Sequence, residues 1–174
     1  KQAFPKSREA NRFVLQINVG LNKLPDSLMP LRTEILLTPE AEQVKTINSI
    51  VQIYAQAQDK ELATAVVEQA LVPFVDKPTT AAASWTTIGR MKAAAKKLPE
   101  ALEAAKKAAA KDSKAIEPGL LALELFSLGS SEAESLLQQI IASADNAMPL
   151  RLSYARILID NQRNTDYQYP KTLY

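Results

Sequence analysis

The chain has 174 residues, of which 47% are hydrophobic and 23% charged, and its formal net charge is +2. This composition is typical of a folded domain with a sizeable core and excludes a disordered chain. Neither cysteine nor histidine occurs, so disulfides and thiolate nucleophiles are excluded, and the commonest general base and metal ligand are missing. The sequence therefore predicts no metal site and no cofactor.

Abundant Ala, Leu, Glu, Lys and Gln, with only four glycines and 6% aromatic residues, predict an all-α fold because these side chains lose little freedom in a helix. No apolar run approaches the roughly 20 residues that cross a bilayer. The chain opens on Lys-Gln-Ala-Phe-Pro, without an initiator Met or a signal peptide, which is typical of an excised fragment or a mature form.

Two helices are predicted before residue 38, separated by the turn sequence Pro25-Asp26-Ser27. The apolar face of the first helix, over residues 7 to 23, is formed by Phe13, Ile17 and Leu21.

Thr38 is the predicted N-cap of the third helix, with Pro39 at its first position, where a missing N–H costs nothing. That helix is predicted to run to about Gln58. Asp59 then caps a fourth helix that is predicted to run through Leu71 and on toward Asp76, where Lys77-Pro78 ends it.

Five further helices follow in the second half of the chain. They are predicted over residues 79 to 97, 98 to 111, 118 to 128, 131 to 144 and 147 to 162. Because the turns between them are short, neighbouring helices must run antiparallel. The sequence therefore predicts a row of helical hairpins.

One hairpin carries a pattern of large and small residues. Trp85 and Ile88 are large, whereas Gly89, Ala101 and Ala108 are small enough to let helices approach closely. This spacing resembles the tetratricopeptide repeat (TPR), a helical hairpin of about 34 residues.

The same pattern extends over much of the chain. The earlier unit carries it at Ile47, Ile50, Val51, Tyr54, Ala63, Val67 and Ala70, the later one at Ala122, Leu125, Ala133, Leu137 and Ile140, and the last at Tyr154, Ala155 and Leu158. We predict one domain over residues 1–174. It comprises an atypical hairpin (1–43), TPR-like repeats (44–81, 82–114 and 115–147), and a partial repeat with an irregular tail (148–174).

In that tail, Tyr167 takes the place of a small residue and Pro170 breaks the helix. The tail predicts either the end of the fold or the truncation of a longer array.

The resemblance implies an α-α superhelix whose concave groove is lined by the first helix of each pair. It places sixteen residues there: Lys45, Asn48, Gln52, Gln56, Ala83, Thr86, Arg90, Ala94, Ile116, Gly119, Leu123, Phe126, Leu152, Arg156, Ile159 and Asp160. It also implies a non-catalytic scaffold that binds a peptide or protein segment in this groove.

Among these positions, we predict that a partner contacts Lys45, Asn48, Gln52, Gln56, Thr86, Arg90 and Arg156. Asn48 and Gln52 form an amide pair one helical turn apart, which suits a peptide backbone. For the two arginines the alternative is solvation or intramolecular pairing. Leu123 and Phe126 are expected to pack in the core. The Lys, Asn and Arg set by which some TPR proteins clamp chaperone C-termini is absent from the corresponding positions.

Alternative functions rest on charge and on assembly. Residues 90–114 are strongly basic, which would suit nucleic acid or an anionic surface. The net charge of only +2 and the lack of interleaved aromatic residues argue against nucleic acid.

A homo-oligomeric, self-assembling module of a larger envelope protein is a further alternative. The run RLSYARILIDNQRNTD is similar to helices in exported proteobacterial TPR proteins, and this resemblance implies a periplasmic or envelope-associated location. The sequence otherwise leaves the compartment undetermined.

No sequence feature indicates an enzyme. The chain has no glycine-rich phosphate loop and no nucleophile elbow. The carboxylate pairs Glu132/Glu134 and Glu100/Glu103 are typical helix N-terminal acids.

Overall fold

The computed structural model describes residues 6–166, with side chains to residue 160. This part of the chain is all-helical and contains no strand, which confirms the all-α prediction. Its helices are α1 (Arg8–Gly20), α2 (Leu28–Leu37), α3 (Glu40–Tyr54), α4 (Lys60–Leu71), α5 (Ala81–Ala94), α6 (Leu98–Lys111), α7 (Glu117–Ser127), α8 (Ser131–Ser143) and α9 (Met148–Asp166), with a 3₁₀ helix at Leu24–Ser27. The tail with Tyr167 and Pro170 lies outside the described residues.

Local capping explains several helix starts. The Asp59 carboxylate accepts a hydrogen bond from the backbone N–H of Leu62 at 2.9 Å, as expected of the N-cap of α4. Thr38, however, is not the N-cap of α3. It ends α2, where its hydroxyl donates to the Glu34 carbonyl at 2.8 Å, and Pro39 takes the N-cap position of α3.

The helices pack in two layers. The odd-numbered helices lie side by side, each on the next, and form the first layer. Arg8 contacts Glu42 near the starts of α1 and α3, and Gln16 and Gln52 line one cavity farther along the same two helices. The Thr79 hydroxyl, just before α5, donates to Glu40 at the start of α3, and the Thr87 hydroxyl donates to the Ile47 carbonyl farther along both helices. The odd-numbered helices concerned are therefore parallel to one another. Even-numbered helices form the second layer, in which α2 packs on α4 and α6 on α8.

Every closely packed pair of α-helices in the described residues is one or two helices apart in the chain. Such near-neighbour packing is the property of a helical repeat. Two consecutive pairs depart from simple hairpins, because α3 is not closely packed on α4, nor α8 on α9. Helices α3 and α4 both pack against α5 instead.

The core consists of two clusters of buried side chains. One joins α1 to α5 and includes Leu15 and Tyr54, and the other joins α5 to α9 and includes Leu121 and Leu150. Burial raises the pKa of Tyr54 to about 12, although its hydroxyl lies 2.6 Å from the Ser27 hydroxyl.

Helix α1 is rotated relative to the apolar face that the sequence predicts. Phe13, Ile17 and Leu21 are 64%, 42% and 62% exposed. Leu15 and Val19 point into the core instead. Both faces of α1 carry apolar residues, and the spacing of one face alone did not reveal which of them the neighbouring helices cover.

Candidate partner-binding groove

Helix α3 presents most of its predicted binding residues along one face. Lys45, Gln52 and Gln56 are exposed, and Asn48 is half-buried between them. Their spacing of three or four residues places Lys45, Asn48 and Gln52 on one side of α3. Gln56 lies on the same side, in the turn that follows the helix.

An amide-rich cavity of about 240 Å³ lies between this face and α1. Its lining residues are Gln16, Val19, Gly20, Gln52, Ile53 and Gln56. A Cβ added at Gly20 would meet nothing within 4 Å, so the cavity is open on that side. Three glutamine side chains thus supply both donors and acceptors around one opening.

A second cavity of about 340 Å³ follows along the same two helices, toward their N-termini. It is lined by Arg8, Arg12, Glu42, Lys45, Thr46 and Ser49. Arg8 Nη1 lies 2.8 Å from a carboxylate oxygen of Glu42, and Arg12 Nη1 lies 3.8 Å from one of Glu34. The Arg12 and Lys45 side chains are exposed. We call the two cavities together the α1–α3 groove. It is cationic at one end and amide-rich at the other.

Helix α5 does not extend this groove as predicted. Thr86 is fully buried, and its hydroxyl has no hydrogen-bond partner among the described residues. Ala83 is buried as well. Both lie on α5, which packs closely on α3, so a partner would not reach Thr86 in this conformation.

Arg90 is half-buried between α5 and α7. Its Nε lies 3.9 Å from a carboxylate oxygen of Glu124, and its side chain is 25% exposed. This is the intramolecular pairing that the sequence left as the alternative for Arg90.

The predicted positions on α7 are largely packed. Gly119 is buried, and a Cβ there would lie 2.5 Å from Leu150 Cδ1. Leu123 and Phe126 are half-buried against the second core cluster, as expected, and Phe126 stacks edge-on with Tyr154 at 5.8 Å between ring centroids. Ile116 packs on the same cluster.

The predicted positions on α9, namely Leu152, Arg156, Ile159 and Asp160, are all exposed. Ala94, the last predicted position on α5, is exposed as well. The structure therefore brings together Lys45, Gln52 and Gln56 in the α1–α3 groove, whereas Arg156 lies at the opposite end of the row of helices.

The residues that α1 contributes to the groove escaped the sequence analysis. Arg8, Arg12 and Gln16 recur every four residues along α1, beside the face that carries the buried Leu15. That polar spacing was available as a signal, but residues 1–43 match the repeat pattern poorly and no groove positions were projected onto them.

The basic block over residues 90–114 is mostly engaged within the chain. Carboxylates lie within 4 Å of six of its cations: Arg90, Lys92, Lys97, Lys106, Lys111 and Lys114. A seventh cation, Lys107, lies 4.4 Å above the Trp85 ring. Little of this charge is left to form a continuous basic surface.

The carboxylates are similarly engaged. Glu100 pairs with Lys92, Glu103 pairs with Lys106, and Glu134 accepts a hydrogen bond from the Tyr154 hydroxyl. In the described residues, no group of three or more Asp and Glu side chains is arranged to hold a metal ion. No helix in the same region has the length and apolarity that spanning a membrane requires.

Comparison with protein-family models, with curated proteins and with solved structures gave no match.

Proposed function

We propose that this chain is a TPR-like, non-catalytic scaffold that binds a peptide or protein segment in the α1–α3 groove. The observation that carries the proposal is the side-by-side arrangement of an amide-lined cavity and a cationic cavity along two parallel helices. Glutamine amides can pair with both N–H and C=O groups of an extended backbone. Arg12 and Lys45 favour an acidic group at the other end of the segment.

A recurring contact supports the TPR-like arrangement. A Cβ at Gly89 of α5 would lie 2.4 Å from Leu121 of α7, and a Cβ at Gly119 of α7 would lie 2.5 Å from Leu150 of α9. In both cases a glycine in one first-layer helix lets a leucine of the next first-layer helix approach. Repetition of one contact from unit to unit is typical of a solenoid.

Peptide display offers a direct test of the groove. Peptides selected on the wild-type chain would be titrated calorimetrically against Gln52→Ala/Gln56→Ala. Each hydrogen bond contributes about 0.5–1.5 kcal/mol, so we expect Kd to rise by about tenfold for the pair. The selected peptides should share an extended segment with an acidic residue at one end.

The matched control is Gln69→Ala/Gln139→Ala, which removes two exposed amides from second-layer helices. We expect the control to bind like wild type. If both double variants bind equally well, or if both lose binding to the same extent, the groove is not the binding site.

A further inference from the structure

Glu34 is a buried carboxylate beside the cationic cavity of the α1–α3 groove. Its side chain is 1% exposed, and neither of its oxygens has a hydrogen-bond partner among the described residues. The one ion pair that it forms in this part of the chain is with Arg12, whose Nη1 lies 3.8 Å from Glu34 Oε1. Arg12 is itself 44% exposed and lines the cavity. Arg12 therefore faces both the buried carboxylate and the space that a ligand would occupy.

The cavity has the lining that a negatively charged group requires. Arg8, Arg12 and Lys45 line it, and Lys45 forms no ion pair with the described residues. Thr46 also lines it, is 5% exposed, and forms no hydrogen bond through its hydroxyl within the same part of the chain. Glu42, the carboxylate in the lining, pairs with Arg8. Guanidinium, ammonium and hydroxyl donors together suit the oxygens of a carboxylate, sulfate or phosphate.

The elements packed on α2 offer Glu34 no partner that could replace Arg12. These elements are α1, α3, α4 and the 3₁₀ helix. Burial raises the pKa of Glu34, while Arg12 and, to a smaller extent, Arg8 lower it. The other titratable groups on these elements and on α2 form neither an ion pair nor a hydrogen bond with Glu34: Glu9, Asp26, Arg32, Glu40, Glu42, Lys45, Tyr54, Lys60, Glu61 and Glu68.

An anion in the cavity would act on Glu34 in two ways. It would compete with Glu34 for Arg12, and it would bring a second negative charge close to a carboxylate that water does not screen. Both effects disfavour the ionised carboxylate, and a buried carboxyl group responds to such a change by taking up a proton. Protonation of Glu34 would then leave the Arg12 charge to the anion.

We propose that the cationic cavity is an anion site and that Glu34 takes up a proton when the anion binds. The ligand is a group with anionic oxygens. The inference rests on the proposed function only for the source of this group, which is the acidic end of the bound segment. Because anion binding and protonation are linked, affinity rises as pH falls, until Glu34 is already protonated in the free chain.

Sulfate is a suitable probe, because it stays fully ionised from mildly acidic to neutral pH. Calorimetric titration of the full chain, in buffers that differ in ionisation enthalpy, measures the protons taken up per sulfate bound. We expect uptake that is largest at mildly acidic pH, and a Kd that is roughly three- to tenfold lower there than at neutral pH, as repulsion between two nearby charges predicts. Absence of sulfate binding, or binding without proton uptake, would overturn the proposal.

Two carboxylate variants identify the group that takes up the proton. Glu34→Gln should bind sulfate more tightly than wild type at neutral pH and lose the proton uptake, because the competing charge is gone at every pH. The matched control is Glu42→Gln, which removes the carboxylate that lines the cavity. It should also bind more tightly but keep the uptake. Uptake that persists in Glu34→Gln, or that is lost only in Glu42→Gln, would contradict the role of Glu34.

A measurement on the wild-type chain needs no substitution. The carboxyl carbon of Glu34, followed by NMR against pH, should titrate with a higher pKa in saturating sulfate than without it, and an unchanged or lower pKa would contradict the coupling.

Sulfate binding also separates this inference from the peptide-binding proposal. Gln52→Ala/Gln56→Ala should bind sulfate like wild type, since neither glutamine lines the cationic cavity. Proton-linked sulfate binding by a chain that selects no peptides would therefore overturn the proposed function and leave the anion site in place.

Discussion

Gly89 shows how a single residue sets the distance between helices. A Cβ at this position would lie 2.4 Å from Leu121 Cδ2, 3.3 Å from the Ala101 carbonyl oxygen and 3.3 Å from Ala104 Cβ. Ala101, Ala104 and Leu121 are all buried, so the surroundings have little room to move. The close approach of α5, α6 and α7 thus depends on the absence of a side chain.

Gly89→Leu should therefore lower the free energy of unfolding. Overpacking of a tight core typically costs about 1–3 kcal/mol, and we expect at least that loss in chemical denaturation. The matched control is Gly20→Ala, where an added Cβ meets nothing within 4 Å and where removing glycine from a helix end should leave stability unchanged or slightly raised. Equal stability of Gly89→Leu and wild type would contradict the packing described for α5.

Glu34 is a carboxylate buried in α2, with 1% of its surface exposed. Burial raises the pKa of Glu34, and the Arg12 guanidinium, 3.8 Å away, opposes that effect only in part. Neither carboxylate oxygen has a hydrogen-bond partner among the described residues. Keeping the Glu34 carboxylate ionised in the folded protein therefore lowers the free energy of unfolding.

Glu34→Gln should stabilise the protein at neutral pH. The pKa of Glu34 is higher in the folded chain than in the unfolded chain, so between these two pKa values the folded state binds more protons. The contribution of Glu34 to the free energy of unfolding therefore falls as pH rises from the unfolded pKa to the folded pKa. The gain from the substitution should therefore appear above the folded pKa and disappear at acidic pH. Denaturation of both proteins from acidic to neutral pH measures it, and a variant less stable than wild type at neutral pH would show that the Arg12 pair outweighs the cost of burial.

At the scale of the helices, apolar spacing and turn residues predicted the number and order of elements. Asp59, Pro99 and Pro118 lie at helix starts, because side-chain capping and a fixed proline φ are local effects that the sequence specifies. Thr38 and the exposed face of α1 were wrongly assigned. A threonine followed by proline can end one helix or begin the next, and only tertiary packing decides which.

The groove was predictable only on α3. Lys45, Gln52 and Gln56 follow from helical spacing, whereas the burial of Thr86 depends on how closely α3 and α5 approach. That distance is a property of two helices together. The contributions of Arg12 and Gln16 likewise depend on which helix lies beside α3.

Helix packing also predicts an order of opening. Helix α5 packs against α3, α4, α6 and α7, whereas α9 packs closely on α7 alone. In a solenoid each element is stabilised by its neighbours, so backbone amides of α5 and α6 should exchange with deuterium last and those of α9 first. Hydrogen exchange, read by mass spectrometry at a concentration that keeps the chain monomeric, measures this order. Protection of α9 equal to that of α5 would contradict it.

At the scale of the described residues, many charged side chains pair with opposite charges on neighbouring helices of the same chain. Ion pairs such as Lys97 with Glu61 and Lys111 with Asp76 link the region around α6 to that around α4. The basic block of the sequence is thereby divided among separate pairs. The α1–α3 groove lies at one end of the row of helices, away from this block, and keeps the exposed Lys45, Gln52 and Gln56 side chains.

Site-specific photo-crosslinking tests the central claim, that the α1–α3 groove binds a protein segment, most directly. The cysteine-free chain would carry a thiol-linked photo-crosslinker at Gln52→Cys or, as control, at Gln139→Cys on α8. In a lysate of the source organism, we expect one protein to crosslink from position 52 and not from 139. Unlabelled wild-type chain should compete it away, whereas Gln52→Ala/Gln56→Ala should need about tenfold more chain for the same competition. Crosslinking from both positions alike, or equal competition by both chains, would contradict the account.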